Sequence, residues 1–242
     1  MTQIVYDVAY SDTLPDTCMD IYTPDQKPPI NGYPAVLVIH GGGWRVGDKS
    51  DLRQVQMSEI LSAHGYLVFN INYTLSPKGA DRDAYTRQAY MQCVEALAWA
   101  REHAADYSFN TALVGAIGGS AGANMALLLG YTAGTNAFDP LLSGLGEIRS
   151  VVNLYGPVTR PKNLRVLDYI HKNGPDVLSI HGDADEIVDI EESRVLDAAL
   201  RDLGVAHELI IVKDAPHTFN VISKWGDFSQ NMLDHFDKTL RA

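Results

Sequence analysis

Short apolar runs alternate with longer stretches of mixed polarity along most of the chain. Residues 4–10 and 17–22 alternate between apolar and polar positions, which predicts a pair of antiparallel strands at the edge of a sheet. The later runs are apolar nearly throughout and rich in β-branched residues, which is typical of strands buried on both faces. These predicted strands lie at residues 35–39, 66–71, 112–117, 151–154, 177–181 and 208–212.

Helix-like stretches separate the buried strands. The predicted helices lie at residues 51–64, 81–105, 121–132, 190–203 and 220–239, with one short helix at 162–172. This alternation predicts an α/β fold with a mostly parallel central sheet, the antiparallel N-terminal edge pair, and helices on both faces. Because the 242 residues contain no linker, repeat or low-complexity segment, we expect one domain that spans residues 1–242.

The third buried strand ends in a Gly-x-Ser-x-Gly pentapeptide, residues 118–122, centred on Ser120. A helix-like run follows at once, so the pattern lies in a strand–turn–helix context. Glycines on both sides of the serine let the strand and the helix approach each other closely. Such a turn directs the hydroxyl beyond the sheet, where it can attack a carbonyl carbon. Taken alone, the pattern also fits a glycine-rich turn without any chemistry.

An earlier buried strand leads into His-Gly-Gly-Gly-Trp, residues 40–44. Backbone N–H groups in a loop of this kind are open and can stabilise the negative oxygen of a tetrahedral intermediate. The loop could instead cradle a phosphate, but neither the spacing of a Walker motif nor a Gly-x-Gly-x-x-Gly pattern is present here. We expect His40, at the strand end, to hydrogen-bond to the loop and fix its shape.

A carboxylate and a histidine follow the last two predicted strands. Asp185 comes after one of them and His217 after the other. The carboxyl ends of parallel strands meet at one edge of a sheet, so both side chains can converge on Ser120. The chain order Ser, Asp, His is the one that accompanies a nucleophile elbow. Asp183 and Asp189, in the same loop, compete with Asp185 for the role of the acid.

These motifs resemble, in order and over nearly the whole chain, those of an α/β-hydrolase of the hormone-sensitive-lipase-like and feruloyl-esterase-like carboxylesterase group. The matching positions are residues 40–44, Tyr73 with Pro77, residues 118–122, the His-Gly-x-x-Asp of residues 181–185, and His217. The chain departs from that pattern at Gly119, where many lipase-like members carry an acid, and at Thr74, where the family commonly has arginine. Neither departure removes a catalytic group.

The resemblance implies a role for each of these residues. Ser120 would be the nucleophile, His217 the general base and Asp185 the acid that orients the base. The oxyanion hole would consist of the backbone amides of Gly42, Gly43 and Ala121.

Little of the chain is left to form a lid over such a site. Residues 155–176 leave room for one short helix only, so we expect an open pocket without a full cap. Four aromatic residues could form the pocket wall, although large aromatic side chains are also common in the core. They are Trp44, Tyr73, Tyr155 and Phe219.

The charge and the N-terminus limit the possible partners and location. Thirty acidic residues against 19 basic ones give a net charge of -11, which disfavours binding to nucleic acids or anionic membranes. No apolar run approaches the roughly 18 residues of a membrane span. The first residues lack the basic and apolar regions of a signal peptide, so we expect a cytoplasmic protein, unless a leader has been removed. The two cysteines, Cys18 and Cys93, predict free thiols rather than a disulfide framework.

The sequence therefore predicts a serine carboxylesterase that hydrolyses a small-molecule ester with a short or aromatic acyl group. The mechanism requires no metal and no organic cofactor. One alternative is an amide or formamide hydrolase similar to kynurenine formamidases. Another is a non-catalytic α/β-hydrolase binding protein, against which the presence of all three triad residues argues. The sequence does not indicate the oligomeric state.

Overall fold

The computed structural model describes residues 2–11 and 17–241, in which eight strands form one sheet and five α-helices surround it. The limits of the predicted domain, residues 1 and 242, lie outside this part of the chain. The strands of the sheet are β1 (Gln3–Ala9), β2 (Cys18–Thr23), β3 (Tyr33–Ile39), β4 (Leu67–Ile71), β5 (Phe109–Gly119), β6 (Ser150–Leu154), β7 (Asp176–Gly182) and β8 (His207–Val212). The helices are α1 (Leu52–Ala63), α2 (Arg82–Glu102), α3 (Ala121–Thr132), α4 (Glu191–Leu203) and α5 (Ser229–Leu240).

The strand order in the sheet is β1-β2-β4-β3-β5-β6-β7-β8. The pairs β1–β2 and β2–β4 are antiparallel, and all other neighbouring pairs are parallel. This confirms the predicted fold class. The central strand β5 lies between β3 and β6, where Gly118 pairs with Ile39 and Gly119 pairs with Leu154. The loops after these three strands therefore begin side by side.

The sheet has a separate apolar core on each face because successive side chains of a strand point in opposite directions. In β3, Ala35, Leu37 and Ile39 pack with the apolar residues of α2, α3 and α4. Val36 and Val38 pack on the other face with those of α1 and α5. Burial on both faces explains why these strands are apolar throughout and why the sequence predicts them well.

The predicted helix at 220–239 is shorter in the structure. Its first part forms a small hairpin of two strands, Ile222–Ser223 and Gly226–Asp227, and α5 begins only after it. Gly226 has a φ of 149°, which no helical residue adopts. A Cβ at this glycine would lie 2.8 Å from the ring of Phe228, so the turn depends on the missing side chain.

The short helix predicted at 162–172 is replaced by two 3₁₀ turns, Lys162–Leu164 and Val166–Asp168. Arg165 separates them with an extended backbone, at φ -73° and ψ 109°. Another 3₁₀ turn, which the sequence analysis did not predict, lies at Pro140–Gly144. Segment 155–176 therefore carries no longer helix that could cover the sheet edge.

Candidate active site

Ser120 occupies a strained turn between β5 and α3. Its φ of 54° and ψ of -117° lie in a region that residues with a side chain rarely adopt. Such strain costs on the order of 1–3 kcal/mol and persists only when the surrounding structure enforces it. Here the Ser120 N–H donates to the carbonyl of Leu154 at 2.9 Å.

The glycines of the pentapeptide permit this turn. A Cβ at Gly118 would lie 2.4 Å from the carbonyl carbon of Gly122, and one at Gly122 would lie 2.2 Å from the carbonyl oxygen of Ile39. Both distances are shorter than any real carbon contact. The close approach of α3 to β3 and β5 therefore requires glycine at both positions, as the sequence predicts.

The three side chains expected to converge at the sheet edge are joined by hydrogen bonds. His217 Nε2 lies 3.1 Å from Ser120 Oγ, and His217 Nδ1 lies 2.6 Å from Asp185 Oδ2. The carboxylate of Asp185 is fully buried and His217 is nearly so. A serine hydroxyl with this arrangement can lose its proton to the imidazole as it attacks a carbonyl carbon.

The carboxylate of Asp185 is held on both of its oxygens. Oδ1 accepts from the N–H groups of Ile187 and Val188, each at 2.9 Å, while Oδ2 faces His217. Burial acts to raise the pKa of Asp185, but the hydrogen bonds from His217 and from the two N–H groups outweigh it and hold the pKa below its ordinary value. The acid therefore remains ionised.

Another histidine lies against the buried side of the same carboxylate. His181 Nε2 is 3.1 Å from Asp185 Oδ2 and 2.9 Å from the carbonyl of Val188, and Nδ1 is 2.7 Å from Ser193 Oγ. Because both oxygens near Nε2 only accept, Nε2 carries the hydrogen and Nδ1 accepts from the serine hydroxyl. Burial lowers the pKa of His181, so its ring is neutral. The position of His181 at a strand end, beside the loop that carries Asp185, already indicates a supporting rather than a catalytic role.

The competing carboxylates are engaged elsewhere. Asp183 Oδ1 accepts from the N–H of Asp214 at 2.6 Å, and Asp189 Oδ1 accepts from the N–H of Glu191 at 2.9 Å. In the part of the chain that the structure describes, neither carboxylate bonds to His217. Asp185 is thus the carboxylate that touches the imidazole.

The loop after β3 turns its glycines towards Ser120. Gly42 and Gly43 have φ angles of 109° and 62°, and both line the same cavity as Ser120. Within residues 2–11 and 17–241, neither N–H donates to a backbone carbonyl. Ala121 begins α3, where an N–H has no acceptor inside the helix. The amides of Gly42 and Gly43 at the cavity, and that of Ala121 next to Ser120, are thus free of backbone partners among the described residues.

His40 and Tyr73 fix the shape of this loop. The rings stack at 4.1 Å with an angle of 11° between their planes, His40 Nδ1 lies 2.7 Å from the Gly41 carbonyl, and the Tyr73 hydroxyl donates to the His40 carbonyl at 2.9 Å. Burial lowers the pKa of His40, so the ring is neutral. His40 therefore has the supporting position that the sequence analysis expected.

The cavity above Ser120 has a volume of about 670 Å³. Tyr155 lines it and packs edge-on against His217, with ring centroids 5.0 Å apart. For the other three residues of the predicted aromatic wall the structure corrects the prediction. Trp44, Tyr73 and Phe219 are buried and do not line this cavity. Tyr73 instead supports the glycine loop, and Phe219 packs behind Tyr155 at 5.1 Å. The exposed apolar side chains at the cavity are those of Val46 and Ile187.

Two further findings concern absences among the described residues. No group of three or more histidine, cysteine, aspartate or glutamate side chains there is arranged to hold a metal ion. None of the helices formed by those residues combines the length and the apolar composition needed to cross a membrane.

The sheet topology and the sharp turn at Ser120 between β5 and α3 define an α/β-hydrolase fold. Comparison with solved structures supports this assignment of the fold. The chain superimposes on a carbohydrate esterase from gut microbiota with a TM-score of 0.83 at 21% identity, covering 99% of this chain and 97% of the other. It superimposes on the butyrate-bound esterase Est2 of Thermogutta terrifontis with a TM-score of 0.80 at 18% identity, covering 98% and 93%.

Sequence comparison assigns the family. The family model BD-FAE matches residues 19–162, and the model of the prolyl oligopeptidase family matches residues 153–242. The chain belongs to the BD-FAE family. It is 27% identical to the esterase LipQ of Mycobacterium tuberculosis over 231 residues, which are 83% of this chain and 53% of that protein. The chain thus spans about half the length of the curated relatives that it matches.

Proposed function

We propose that the protein is a serine carboxylesterase that hydrolyses short-chain or aromatic acyl esters through an acyl-enzyme. The observation that carries this proposal is the hydrogen-bonded chain from Ser120 Oγ through the His217 ring to Asp185 Oδ2, with distances of 3.1 and 2.6 Å. It opens into a cavity beside three amides without backbone partners. The three similar proteins described above are named as esterases, which supports the proposal.

The proposed reaction follows from these atoms. Ser120 Oγ attacks the ester carbonyl carbon while its proton moves to His217 Nε2, and the amides of Gly42, Gly43 and Ala121 stabilise the negative oxygen. The bond to the alcohol oxygen then breaks, and His217 returns the proton to the leaving alcohol. Water attacks the acyl-enzyme in the same way, with its proton passing through His217 to Ser120 Oγ, and the carboxylic acid is released.

The preference for short or aromatic acyl groups rests on the open site. Segment 155–176 contributes only two 3₁₀ turns, and the exposed Val46 and Ile187 leave the cavity without an enclosing apolar tunnel. Since burial of each CH₂ contributes only about 0.8 kcal/mol, and only where a pocket exists, long alkyl chains gain little here. Est2, a structural neighbour, has been solved with butyrate and with propionate bound.

A fluorophosphonate probe tests the proposal, because it reacts covalently with an activated serine. We expect labelling of the wild type at Ser120, no labelling of Ser120→Ala, and a loss of about 10⁴ or more in kcat for p-nitrophenyl acetate. Ser143→Ala, an exposed serine in a 3₁₀ turn, is the control and should label like the wild type. Labelling at another serine would refute the assignment, and faster hydrolysis of N-formylkynurenine than of every ester would favour the formamidase alternative.

A further inference from the structure

The cavity wall beside the nucleophile carries a positive charge that ester hydrolysis itself does not require. Arg53, on the first turn of α1, is half-buried and lines the cavity together with Ser120 and His217. It is the one lysine or arginine among the described lining residues. Among the ion pairs of residues 2–11 and 17–241, none involves Arg53. The protein therefore leaves this charge without a carboxylate partner.

The two carboxylates that line the same cavity are used by their own loop. Asp48 accepts from the N–H of Ser50 at 2.8 Å and from Nδ2 of Asn72 at 2.8 Å. Asp51 accepts from the N–H of Asp48 at 3.1 Å. Their hydrogen bonds hold the turn that leads into α1, and among the described residues neither carboxylate forms an ion pair with Arg53.

The residue before the nucleophile, Gly119, lies tightly against Tyr155 and lines the same cavity. A Cβ at Gly119 would lie 3.1 Å from the Tyr155 hydroxyl oxygen and 3.2 Å from Cε2 of that ring. Burial raises the pKa of Tyr155, and the nearby Arg53 opposes the rise, so the guanidinium lies close to the same hydroxyl. Consecutive Cα atoms are only about 3.8 Å apart. The cavity wall formed by Arg53, Tyr155 and Gly119 therefore adjoins Ser120 directly.

A buried amide without a hydrogen bond lies at the same place. Gln54 follows Arg53 on α1, lines the cavity and is only 4% exposed. Its Oε1 has no hydrogen-bond partner among the residues that the structure describes. A buried polar group of this kind is costly unless a ligand or water completes it. A carboxylate only accepts hydrogen bonds, so the NH₂ group of Gln54 is the part of the amide that can donate to one, while Oε1 requires a donor such as water.

We propose that Arg53 and Gln54, in the cavity wall beside Gly119 and Ser120, form a subsite for a carboxylate of the substrate. The preferred substrates are then esters that carry a free carboxylate a few bonds from the scissile carbonyl, such as hemiesters of short dicarboxylic acids. A guanidinium presents paired N–H groups that fit the two oxygens of a carboxylate. In a protein with a net charge of -11, attraction of an anionic substrate requires such a local positive charge. The inference rests on the proposed esterase function.

The test compares two esters that differ in charge but hardly in shape, monoethyl succinate and ethyl succinamate. We would measure kcat/KM for both in a pH-stat at pH 7.5 and take their ratio. The wild type should favour the anion by about tenfold, the lower end of what a charge-assisted hydrogen bond contributes. In Arg53→Gln the ratio should fall to about one, and Arg53→Lys should retain part of it. Because both substrates are measured on one preparation, a loss of folded protein cancels.

Arg149→Gln is the matched control, because Arg149 is exposed and lies outside the cavity; it should keep the wild-type ratio. A wild-type enzyme that does not favour the anion, or an Arg53→Gln variant with an unchanged ratio, would overturn the subsite while ester hydrolysis itself stands. Calorimetry of monoethyl succinate with Ser120→Ala, with and without Arg53→Gln, separates the two proposals. Arg53-dependent binding without any ester turnover by the wild type would refute the esterase and leave the subsite.

Discussion

Replacement of Asp185 by asparagine changes one atom of the carboxylate, and the surrounding hydrogen bonds determine how the amide must lie. The N–H groups of Ile187 and Val188 point at Oδ1, so the amide oxygen has to take that position. A reversed amide would leave two N–H groups facing an NH₂ group, at a cost of about 1–3 kcal/mol for each unsatisfied group. The NH₂ group of Asp185→Asn therefore faces His217 Nδ1.

This orientation places the proton of His217 on the wrong nitrogen. Nδ1 must accept from the NH₂ group, so the hydrogen moves to Nε2, the atom that lies 3.1 Å from Ser120 Oγ. A protonated Nε2 cannot remove the serine proton. Loss of the correct tautomer and of the negative charge lowers kcat by roughly 10²–10⁴, which corresponds to about 3–5 kcal/mol at 1.36 kcal/mol for each factor of ten.

The assay is steady-state hydrolysis of p-nitrophenyl acetate by Asp185→Asn and by Asp183→Asn as the matched control. Asp183 accepts only from a backbone N–H, and an asparagine oxygen can do the same, so the control should lose far less activity. Fluorophosphonate labelling should slow in parallel with kcat for Asp185→Asn. A variant within about tenfold of the wild type, or a larger loss in Asp183→Asn, would refute the assignment of the acid.

Three further predictions follow from the same contacts. Gly122→Ala should lower the free energy of unfolding by about 1–3 kcal/mol or more, because the added Cβ would lie 2.2 Å from a carbonyl oxygen of β3. Urea denaturation measures this, and an unchanged midpoint of the urea transition would contradict the packing. Burial lowers the pKa of His40, His181 and His235, so at acidic pH the unfolded chain takes up protons that the native protein does not. The melting temperature should therefore fall as the pH drops below about 6.5. A melting temperature that stays constant down to about pH 5 would refute this. Among p-nitrophenyl esters, kcat/KM should be highest for acyl chains of two to four carbons, and a maximum at or beyond about ten carbons would reveal an acyl tunnel.

The sequence predicted the strands and the sheet-edge site for one physical reason. A strand buried on both faces must be apolar throughout, so each run marks a strand, and the polar residue that follows it must lie at the sheet edge. Ser120 and Asp185 each follow such a run, and His217 follows β8, an apolar strand that lies at the sheet edge and is only partly buried. The structure joins the three side chains by hydrogen bonds. The sequence predicted the role of the glycines around Ser120 equally well, because α3 can approach β3 only where a residue has no side chain.

The cavity wall could not be predicted in this way. Trp44, Tyr73 and Phe219 follow strands as the triad residues do, but an aromatic ring at a strand end can turn towards the cavity or into the core. The Tyr73 hydroxyl finds its acceptor on the His40 carbonyl, inside the protein. Arg53 was missed for the opposite reason, since a charged residue on the first turn of a helix is ordinarily solvated. Its significance depends on Ser120 and His217, which line the same cavity but are distant from it in the sequence.

The hydrogen bonds around the acid allow only one assignment of donors and acceptors. The carbonyl of Val188 and the carboxylate of Asp185 both require the hydrogen of His181 on Nε2, and so Nδ1 must accept from Ser193. Asp185 is ionised and can only accept, so His217 must donate from Nδ1. It follows that Nε2 of His217 has a free lone pair towards the serine hydroxyl. The buried groups behind the site, which contact no substrate, thereby select the one tautomer of His217 in which it can act as a base.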